Sequence, residues 1–94
     1  MMVIGVVTAR LAVYEAQSLK DKRRVVKSLK DRLRNKFNVS VAETDALESR
    51  QRAVITAAIV TTDTQFAERC LQQVVNMIEQ SRGASLLDFE IQIL

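Results

Sequence analysis

The order in which the hydrophobic period changes along the chain constrains the fold more than any other feature of the sequence. A period of two, with many β-branched residues, predicts strands at Met2–Tyr14, Val39–Glu43, Ala53–Thr61 and in the tail Ser85–Leu94. Apolar residues at helical spacing lie between the first and second predicted strands and between the third and fourth. The predicted order is therefore β-α-β-β-α-β. In the tail, one face is predicted to carry Leu87, Phe89, Ile91 and Ile93.

Both helices are predicted to be amphipathic. Ser18 and Asp21 have the spacing of a capping box, which indicates that the first helix starts there. Its apolar arc consists of Leu19, Val26, Leu29, Leu33 and Phe37. Thr62 or Asp63 caps the second helix, which runs through Gln80 before Gly83 supplies a left-handed residue. The second apolar arc consists of Phe66, Cys70, Val74, Met77 and Ile78, and we expect Leu29 and Phe66 to be buried under the sheet.

This order is typical of a ferredoxin-like α+β sandwich, in which two helices cover one face of a four-stranded antiparallel sheet. A chain of 94 residues is expected to form one such domain, residues 1–94. The uncovered face would be more apolar than a sheet face in contact with water. We therefore expect a homo-oligomer, most simply a dimer. Its interface is predicted to include Ile4, Val6, Tyr14, Val54 and Val60.

The composition argues against an enzyme. The chain has no His, one Cys and two Gly, so it has no imidazole base, no disulfide and no glycine-rich phosphate loop. Cys70 is predicted to be a small buried hydrophobe. We expect no catalytic residues, no cofactor and no metal site. The acidic residues Glu43, Asp45 and Glu48 are interpreted as a solvated or salt-bridged turn rather than a metal site, and in an oligomer this turn is expected to contact the basic helix of a neighbouring copy.

Charge is distributed unevenly along the chain. The net charge is +3, yet nine cations and only two acids lie between Lys20 and Lys36. Cations in the first turn oppose the helix dipole, and such an arrangement favours a phosphate at the exposed N–H groups. Further along, spacing of three and four residues aligns cations on one ridge. The candidate nucleic-acid-binding residues are Lys20, Lys22, Arg23, Lys27, Lys30 and Arg34. The alternative interpretation is a solvated basic face.

Three segments carry a family resemblance: SLKDKR (18–23), KFNVSVAE (36–43) and QRA (51–53). With them the sequence resembles the YlxP-like family of small bacterial proteins over nearly the whole chain. The resemblance implies a ferredoxin-like domain of unknown activity, whose genes tend to lie beside those for translation initiation and ribosome maturation. Members commonly have Trp immediately before QRA, whereas this chain has Arg50. A role of that aromatic residue cannot be transferred to this chain.

The leading hypothesis is a cytoplasmic, non-enzymatic module that binds structured RNA, on the ribosome for example, through its first helix. Binding would depend on shape and charge, because the open sheet face offers only Tyr14 for base stacking. One alternative is a homo-oligomeric protein-interaction module whose basic helix docks an acidic partner. Another is a regulatory module that binds a small ligand. No apolar run suggests a membrane span or signal peptide, so no membrane partner is expected.

Overall fold

A computed structural model describes all 94 residues and has the β-α-β-β-α-β order that the sequence predicts. The elements are β1 (Val3–Ala12), α1 (Leu19–Lys36), β2 (Ser40–Asp45), β3 (Arg52–Thr61), α2 (Thr64–Glu79) and β4 (Ser85–Ile93). The four strands form one antiparallel sheet in the order β2-β3-β1-β4. The predicted ferredoxin-like α+β fold is confirmed.

The two long central strands explain the alternating sequence. In β1 and β3, every second residue is buried towards the helices, and the residues between them lie on the opposite face. The pairing of Val7 with Ala57 and of Ala9 with Ile55 brings inward-facing residues opposite each other. Gly5 lies under α2, where an added Cβ would be 2.9 Å from Leu71 Cδ1. Glycine at this position therefore allows α2 to approach β1 closely.

Helix α1 begins as the capping box predicts. The Asp21 N–H donates to Ser18 Oγ at 3.1 Å, and Asp21 Oδ2 accepts from the Gln17 N–H at 3.1 Å. The helix lies against β2 and α2. Its buried residues are Lys22, Val26, Leu29 and Leu33. Burial of Leu29 is confirmed.

Helix α2 packs across β1, β3 and β4 and is capped by Asp63, whose Oδ1 accepts from the Gln65 and Phe66 N–H groups. Its buried residues are Ala67, Cys70, Leu71, Val74, Val75 and Ile78. The prediction that Phe66 is buried is wrong, because Phe66 is 48% exposed. The inward stripe starts at Ala67, and Phe66 lies about 100° away around the helix. Gly83 has φ +84°, but it lies beyond the helix end at Glu79.

Strand β4 departs from strict alternation. The register against β1 shifts between Arg10 and Leu11, so that Leu86 lies opposite Leu11 while Asp88 lies opposite Arg10. Leu87 is the extra residue at this bulge and is 46% exposed. The predicted placement of Leu87 on the face of Ile91 and Ile93 is therefore wrong. Neither helix of the molecule is long and apolar enough to span a membrane.

Candidate functional site

The structure brings four of the candidate cations together along one flank of α1. Their spacing of four, three and four residues places them on the same side of the helix. We call this surface the α1 groove; it is a shallow concavity lined by Arg23, Val26, Lys27, Lys30, Asp31, Arg34 and Glu43. Four of its seven lining residues are cations, so its potential is positive along most of its length.

The cations of the α1 groove differ in their local partners. Lys27 Nζ lies 2.8 Å from Asp31 Oδ2, and Arg34 Nη1 lies 3.5 Å from Asp31 Oδ1. Arg34 Nη2 also donates to the Val41 carbonyl oxygen at 2.8 Å, which fixes its guanidinium beside β2. Arg23 and Lys30 have no carboxylate oxygen within 4.0 Å. These two side chains are therefore free to meet an anion.

Asp31 is the acid on which this local pairing depends. The hydrogen bond from Lys27 is the main cause that lowers the pKa of Asp31 below its usual value; desolvation opposes it, and the charges of Lys27, Arg34 and Lys30 lower the pKa further. Asp31 is therefore ionised at neutral pH. It partly neutralises the groove while remaining in contact with water.

Lys22 lies inside the protein, so its predicted role in phosphate binding is wrong. Its side chain is fully buried, and Nζ lies 2.7 Å from Glu43 Oε2. Nζ also donates to the carbonyl oxygens of Ala46 at 3.0 Å, Leu47 at 3.4 Å and Arg52 at 3.2 Å. We call this arrangement the Lys22 cluster. An ammonium group with four acceptors inside the fold is not available to a ligand.

The helical period explains why Lys22 points inward. Lys22 precedes Val26, Leu29 and Leu33 by four, seven and eleven residues, so it continues the buried stripe of α1 towards the helix start. This spacing was present in the sequence and could have identified the residue. The spacing could not identify the hydrogen-bond acceptors of Lys22 Nζ, which belong to the β2–β3 hairpin.

The Lys22 cluster also stabilises an unusual backbone conformation. Ala46 has φ +59°, in the left-handed region that a residue with a Cβ enters at a cost of about 1–2 kcal/mol. Its carbonyl oxygen accepts from Lys22, and its N–H donates to Asp45 Oδ1 at 2.7 Å. Both backbone polar groups of this strained residue are thus satisfied. The hairpin therefore keeps a defined shape next to the start of α1.

Of the three acidic residues that the sequence predicts in a solvated or salt-bridged turn, Glu43 is salt-bridged, whereas Asp45 and Glu48 are exposed. Glu43 faces the helices and pairs with Lys22 of the same chain, which leaves it 11% exposed as a side chain. Asp45 bonds to the adjacent backbone. The expectation that Glu43 contacts the basic helix of a neighbouring copy is therefore wrong, because its partner lies in its own chain.

The three segments that carry the family resemblance meet at this end of the molecule. Segment 18–23 provides the helix cap and Lys22, and segment 36–43 provides Glu43. Gln51 links the hairpin to the β1–α1 connection, since its Nε2 donates to the carbonyl oxygens of Tyr14 at 3.0 Å and Ala16 at 3.3 Å. Arg50 is exposed. Several residues that carry the resemblance, Lys22, Glu43 and Gln51 among them, thus hold the loops at this end together.

The remaining candidate cation, Lys20, and the free thiol of Cys70 have no hydrogen-bonding or ion-pairing side-chain partner. Lys20 is exposed in the first turn of α1 and has no carboxylate partner within 4.0 Å. Cys70 is a free, buried thiol, as predicted, and burial raises its pKa. It is therefore a thiol at neutral pH.

The predicted oligomer residues lie on or beside the sheet face away from the helices, which we call the open sheet face. Ile4, Val6 and Val54 are partly buried by their neighbours, whereas Val60 is 66% exposed. Tyr14 lies beyond the end of β1 and is 58% exposed, with the Arg52 guanidinium carbon 5.4 Å from its ring centroid. Asp88 pairs with Arg10 at 3.0 Å at the β4 side of the sheet.

Comparison with known proteins identifies the family. Residues 4–91 match the model of a family described as "Protein of unknown function (DUF503)". The chain belongs to this family. It is also 37% identical over 76 residues to the uncharacterized protein YlxP of Bacillus subtilis (strain 168), a match that covers 81% of this chain and 83% of that protein. The resemblance found in the sequence is confirmed.

A solved structure supports the fold alone. The de novo designed protein Foldit4 matches with a TM-score of 0.55 at 16% sequence identity, over 100% of this chain and 97% of that chain. The designed protein shares this topology but has little sequence in common with this chain. The match does not indicate that it has an α1 groove or a Lys22 cluster. The similarity therefore says nothing about function.

Proposed function

We propose that the protein is a non-enzymatic module that binds structured RNA through the α1 groove. The observation that carries this proposal is the alignment of Arg23, Lys27, Lys30 and Arg34 along one concave surface. Exclusion of Lys22 leaves eight cations on α1, all at least partly exposed, against Asp21 and Asp31. The ribosome, which is rich in structured RNA, is one place where such a surface would find its ligand.

The geometry suits a nucleic-acid backbone better than a single small anion. The four cations extend over three turns of helix, about 16 Å from Arg23 to Arg34 at 1.5 Å per residue. A row of phosphates can be contacted over such a length, and each neutralised phosphate releases counterions. Lys27 and Asp31 are exposed to water, and an exposed ion pair contributes at most about 1 kcal/mol. A phosphate can therefore replace Asp31 as the partner of Lys27 at little cost in free energy.

Sequence-specific reading of bases is not part of the proposal. The α1 groove contains no aromatic residue on which unpaired bases could stack, and its two arginines are assigned to phosphate contacts. Contacts to phosphates position a protein on RNA without reading its sequence. We therefore expect similar affinities for unrelated hairpins of equal length.

The test is a fluorescence anisotropy titration of a labelled RNA hairpin at several salt concentrations. With four phosphates contacted, the logarithm of the affinity should fall with the logarithm of salt at a slope of about −3 to −4. The variant Arg23→Gln/Lys27→Gln/Lys30→Gln removes three of the contacts and should flatten the slope to about −1. Gln is chosen because it introduces no repulsion with Asp31.

The matched control removes the same charge elsewhere. Arg50→Gln/Arg69→Gln/Arg82→Gln replaces three exposed cations outside α1 and should leave the slope nearly unchanged. Equal loss of binding in both triple variants would show that only net charge matters and would overturn the assignment to the groove. Wild-type affinity weaker than about 10⁻⁴ M near about 50 mM salt, below ordinary non-specific binding, would overturn RNA binding altogether.

A second candidate function, self-association, is favoured by the open sheet face. Val60 is 66% exposed in the single chain, and Ile4, Val6 and Val54 belong to the same surface. Ile4 pairs with Val60 and Val6 with Ala58 at one end of this face, and an exposed apolar patch of this kind is commonly covered by another copy of itself in a two-fold dimer. We propose a homodimer through this face, and it is compatible with RNA binding because α1 lies on the other side of the sheet.

Light scattering tests the dimer directly. The wild-type chain of 10.6 kDa should give a particle of about twice that mass at micromolar concentration. Val6→Lys should shift the population towards the monomer, whereas Gln72→Lys on the exposed side of α2 should not. A wild-type particle of monomer mass would contradict the dimer and leave RNA binding to be judged by its own test.

A further inference from the structure

A pocket near the start of α2 has the composition of a small-molecule site and takes no part in the proposed RNA surface. Its volume is about 350 Å³, within the usual range for ligand pockets of about 300–1,000 Å³. Five of its ten lining residues are hydrophobic. We call it the Phe66 pocket; its lining consists of Lys36, Phe37, Asn38, Ile59, Val60, Thr61, Phe66, Arg69, Cys70 and Gln73.

The pocket combines an apolar floor with an exposed aromatic side chain. Ile59 and Cys70 are 3% and 8% exposed, so they form the floor. Phe66 is 48% exposed, although a phenylalanine gains free energy from removal of its surface from water. Phe37 supplies a second ring to the lining. Aromatic side chains that border an apolar cavity can sandwich or cover a flat apolar group.

The charges at the pocket all have one sign. Lys36 and Arg69 line the pocket, and no Asp or Glu does. Neither cation has a carboxylate oxygen within 4.0 Å, and neither makes a side-chain hydrogen bond within the chain. Asn38, Thr61 and Gln73 add neutral hydrogen-bonding groups. An anionic group of a ligand would therefore be attracted to the rim while its apolar part occupies the floor.

We infer that the Phe66 pocket binds a small amphipathic organic anion, in which an aromatic or branched aliphatic group is joined to a carboxylate, sulfonate or phosphate. Charge complementarity with Lys36 and Arg69 selects the anion, and the floor of Ile59 and Cys70 selects the apolar group. A polynucleotide is a poorer fit, because a volume of about 350 Å³ holds one small group and half of the lining is hydrophobic. The inference is independent of RNA binding, since no residue is shared with the α1 groove.

The experiment uses 1-anilinonaphthalene-8-sulfonate, a fluorescent aromatic sulfonate, as the probe. Its titration into the folded wild-type protein should give a saturable fluorescence increase. In the ¹H–¹⁵N spectrum, the shifts should concentrate on Asn38, Thr61 and Gln73. Naphthalene-1-sulfonate should displace the probe, and neutral naphthalene-1-methanol should compete at least about tenfold less well, since it cannot form charge-assisted hydrogen bonds with Lys36 and Arg69.

Variants separate the two parts of the site. Lys36→Gln/Arg69→Gln should weaken binding of the sulfonate by about tenfold or more while leaving the neutral compound unaffected. Phe66→Ser should weaken both compounds. Phe66 and both cations are exposed, so these variants are expected to fold, which circular dichroism checks.

Two controls place the site. Arg23→Gln/Lys27→Gln/Lys30→Gln in the α1 groove and Val54→Ser on the open sheet face should leave probe binding unchanged. Shifts that concentrate on Ile4, Val6 and Val54, which lie on the open sheet face outside the pocket, or equal affinity in wild type and in the Lys36→Gln/Arg69→Gln variant, would overturn the inference. Absence of saturable binding up to about 1 mM probe, a standard free energy weaker than about −4 kcal/mol, would overturn it as well.

Discussion

Two lysine–acid pairs on α1 have nearly the same distance and opposite surroundings. Lys22 Nζ lies 2.7 Å from Glu43, where the two side chains are 0% and 11% exposed. Lys27 Nζ lies 2.8 Å from Asp31, where they are 76% and 45% exposed. The first pair joins α1 to the β2–β3 hairpin, whereas the second lies within the surface of one helix.

The difference shows that burial rather than distance decides what each charge can do. In water the attraction of two unit charges at 4 Å is about 1 kcal/mol, and salt or a competing phosphate replaces it readily. Inside the protein, desolvation makes the unpaired charge very unfavourable, so the partners must stay together. Lys22 is therefore a residue of the fold, and Lys27 remains available to a ligand.

The largest effect is expected on removal of the buried ammonium. Lys22→Met keeps most of the side-chain volume but leaves Glu43 and three carbonyl oxygens without their donor. The loss of one partner from a buried ion pair should lower the free energy of unfolding by about 3–5 kcal/mol. Urea denaturation followed by circular dichroism measures this change.

The matched control is Lys20→Met, two residues earlier on the same helix and exposed. It should change the free energy of unfolding by no more than about 0.5 kcal/mol. The double variant Lys22→Met/Glu43→Leu should recover part of the loss, because the carboxylate is no longer buried alone. Equal stability of the Lys22→Met and Lys20→Met variants would contradict the burial of Lys22.

The next effect compares the buried and exposed flanks of the two helices. Leu29 is 1% exposed, so Leu29→Ala should lower the free energy of unfolding by about 2–5 kcal/mol. Phe66 is 48% exposed, and Phe66→Ala should cost less than about 1.5 kcal/mol, since only part of its surface leaves water on folding. The midpoints of thermal unfolding report both changes. A larger loss of stability for Phe66→Ala than for Leu29→Ala would show that the buried and exposed faces of the helices are assigned wrongly.

A smaller effect is expected at the hairpin that Lys22 binds. Ala46 has φ +59°, and glycine adopts this conformation without the steric cost of a Cβ. Ala46→Gly should therefore raise the free energy of unfolding by up to about 1 kcal/mol after the entropy of the unfolded glycine is included. A loss of stability in denaturant titrations would show that the left-handed conformation is not a source of strain.

The smallest effect is expected at the exposed pair. The hydrogen bond from Lys27 lowers the pKa of Asp31 in the folded protein, so the stabilisation is present above the unfolded pKa and is lost as the pH falls through the folded pKa. An NMR titration of the side-chain carboxyl groups should show Asp31 titrating below the usual aspartate value. Lys27→Gln should move this pKa upward; an unchanged pKa would show that Lys27 is not its main cause.

The sequence predicted the fold well because the fold depends on local patterns. The alternation in β1 and β3 and the cap at Ser18 are properties of neighbouring residues, and the structure follows them. Leu87 was assigned to the wrong face because a bulge in β4 shifts the register, and a period of two contains no sign of a bulge. Phe66 was misplaced because the inward stripe of α2 begins one residue later.

The candidate site was predicted less completely, because charge alone does not indicate which cations are buried. Arg23, Lys27, Lys30 and Arg34 were expected on one ridge and do line one groove. Lys22 was grouped with them on charge, although its spacing from Val26 already indicated an inward position. Its acceptors come from the hairpin more than twenty residues away, and such a contact requires the folded chain.

The most direct test of the difference between the two pairs observes the lysine ammonium groups during an RNA titration. A ¹H–¹⁵N spectrum selective for lysine side chains, recorded at low salt and slightly acidic pH, resolves Nζ of individual residues after assignment by Lys→Arg substitution. We predict that the Lys27 and Lys30 signals shift in proportion to bound RNA hairpin, while the Lys22 signal stays fixed by its four acceptors. A shift of Lys22 with Lys27 and Lys30 unchanged would contradict this prediction.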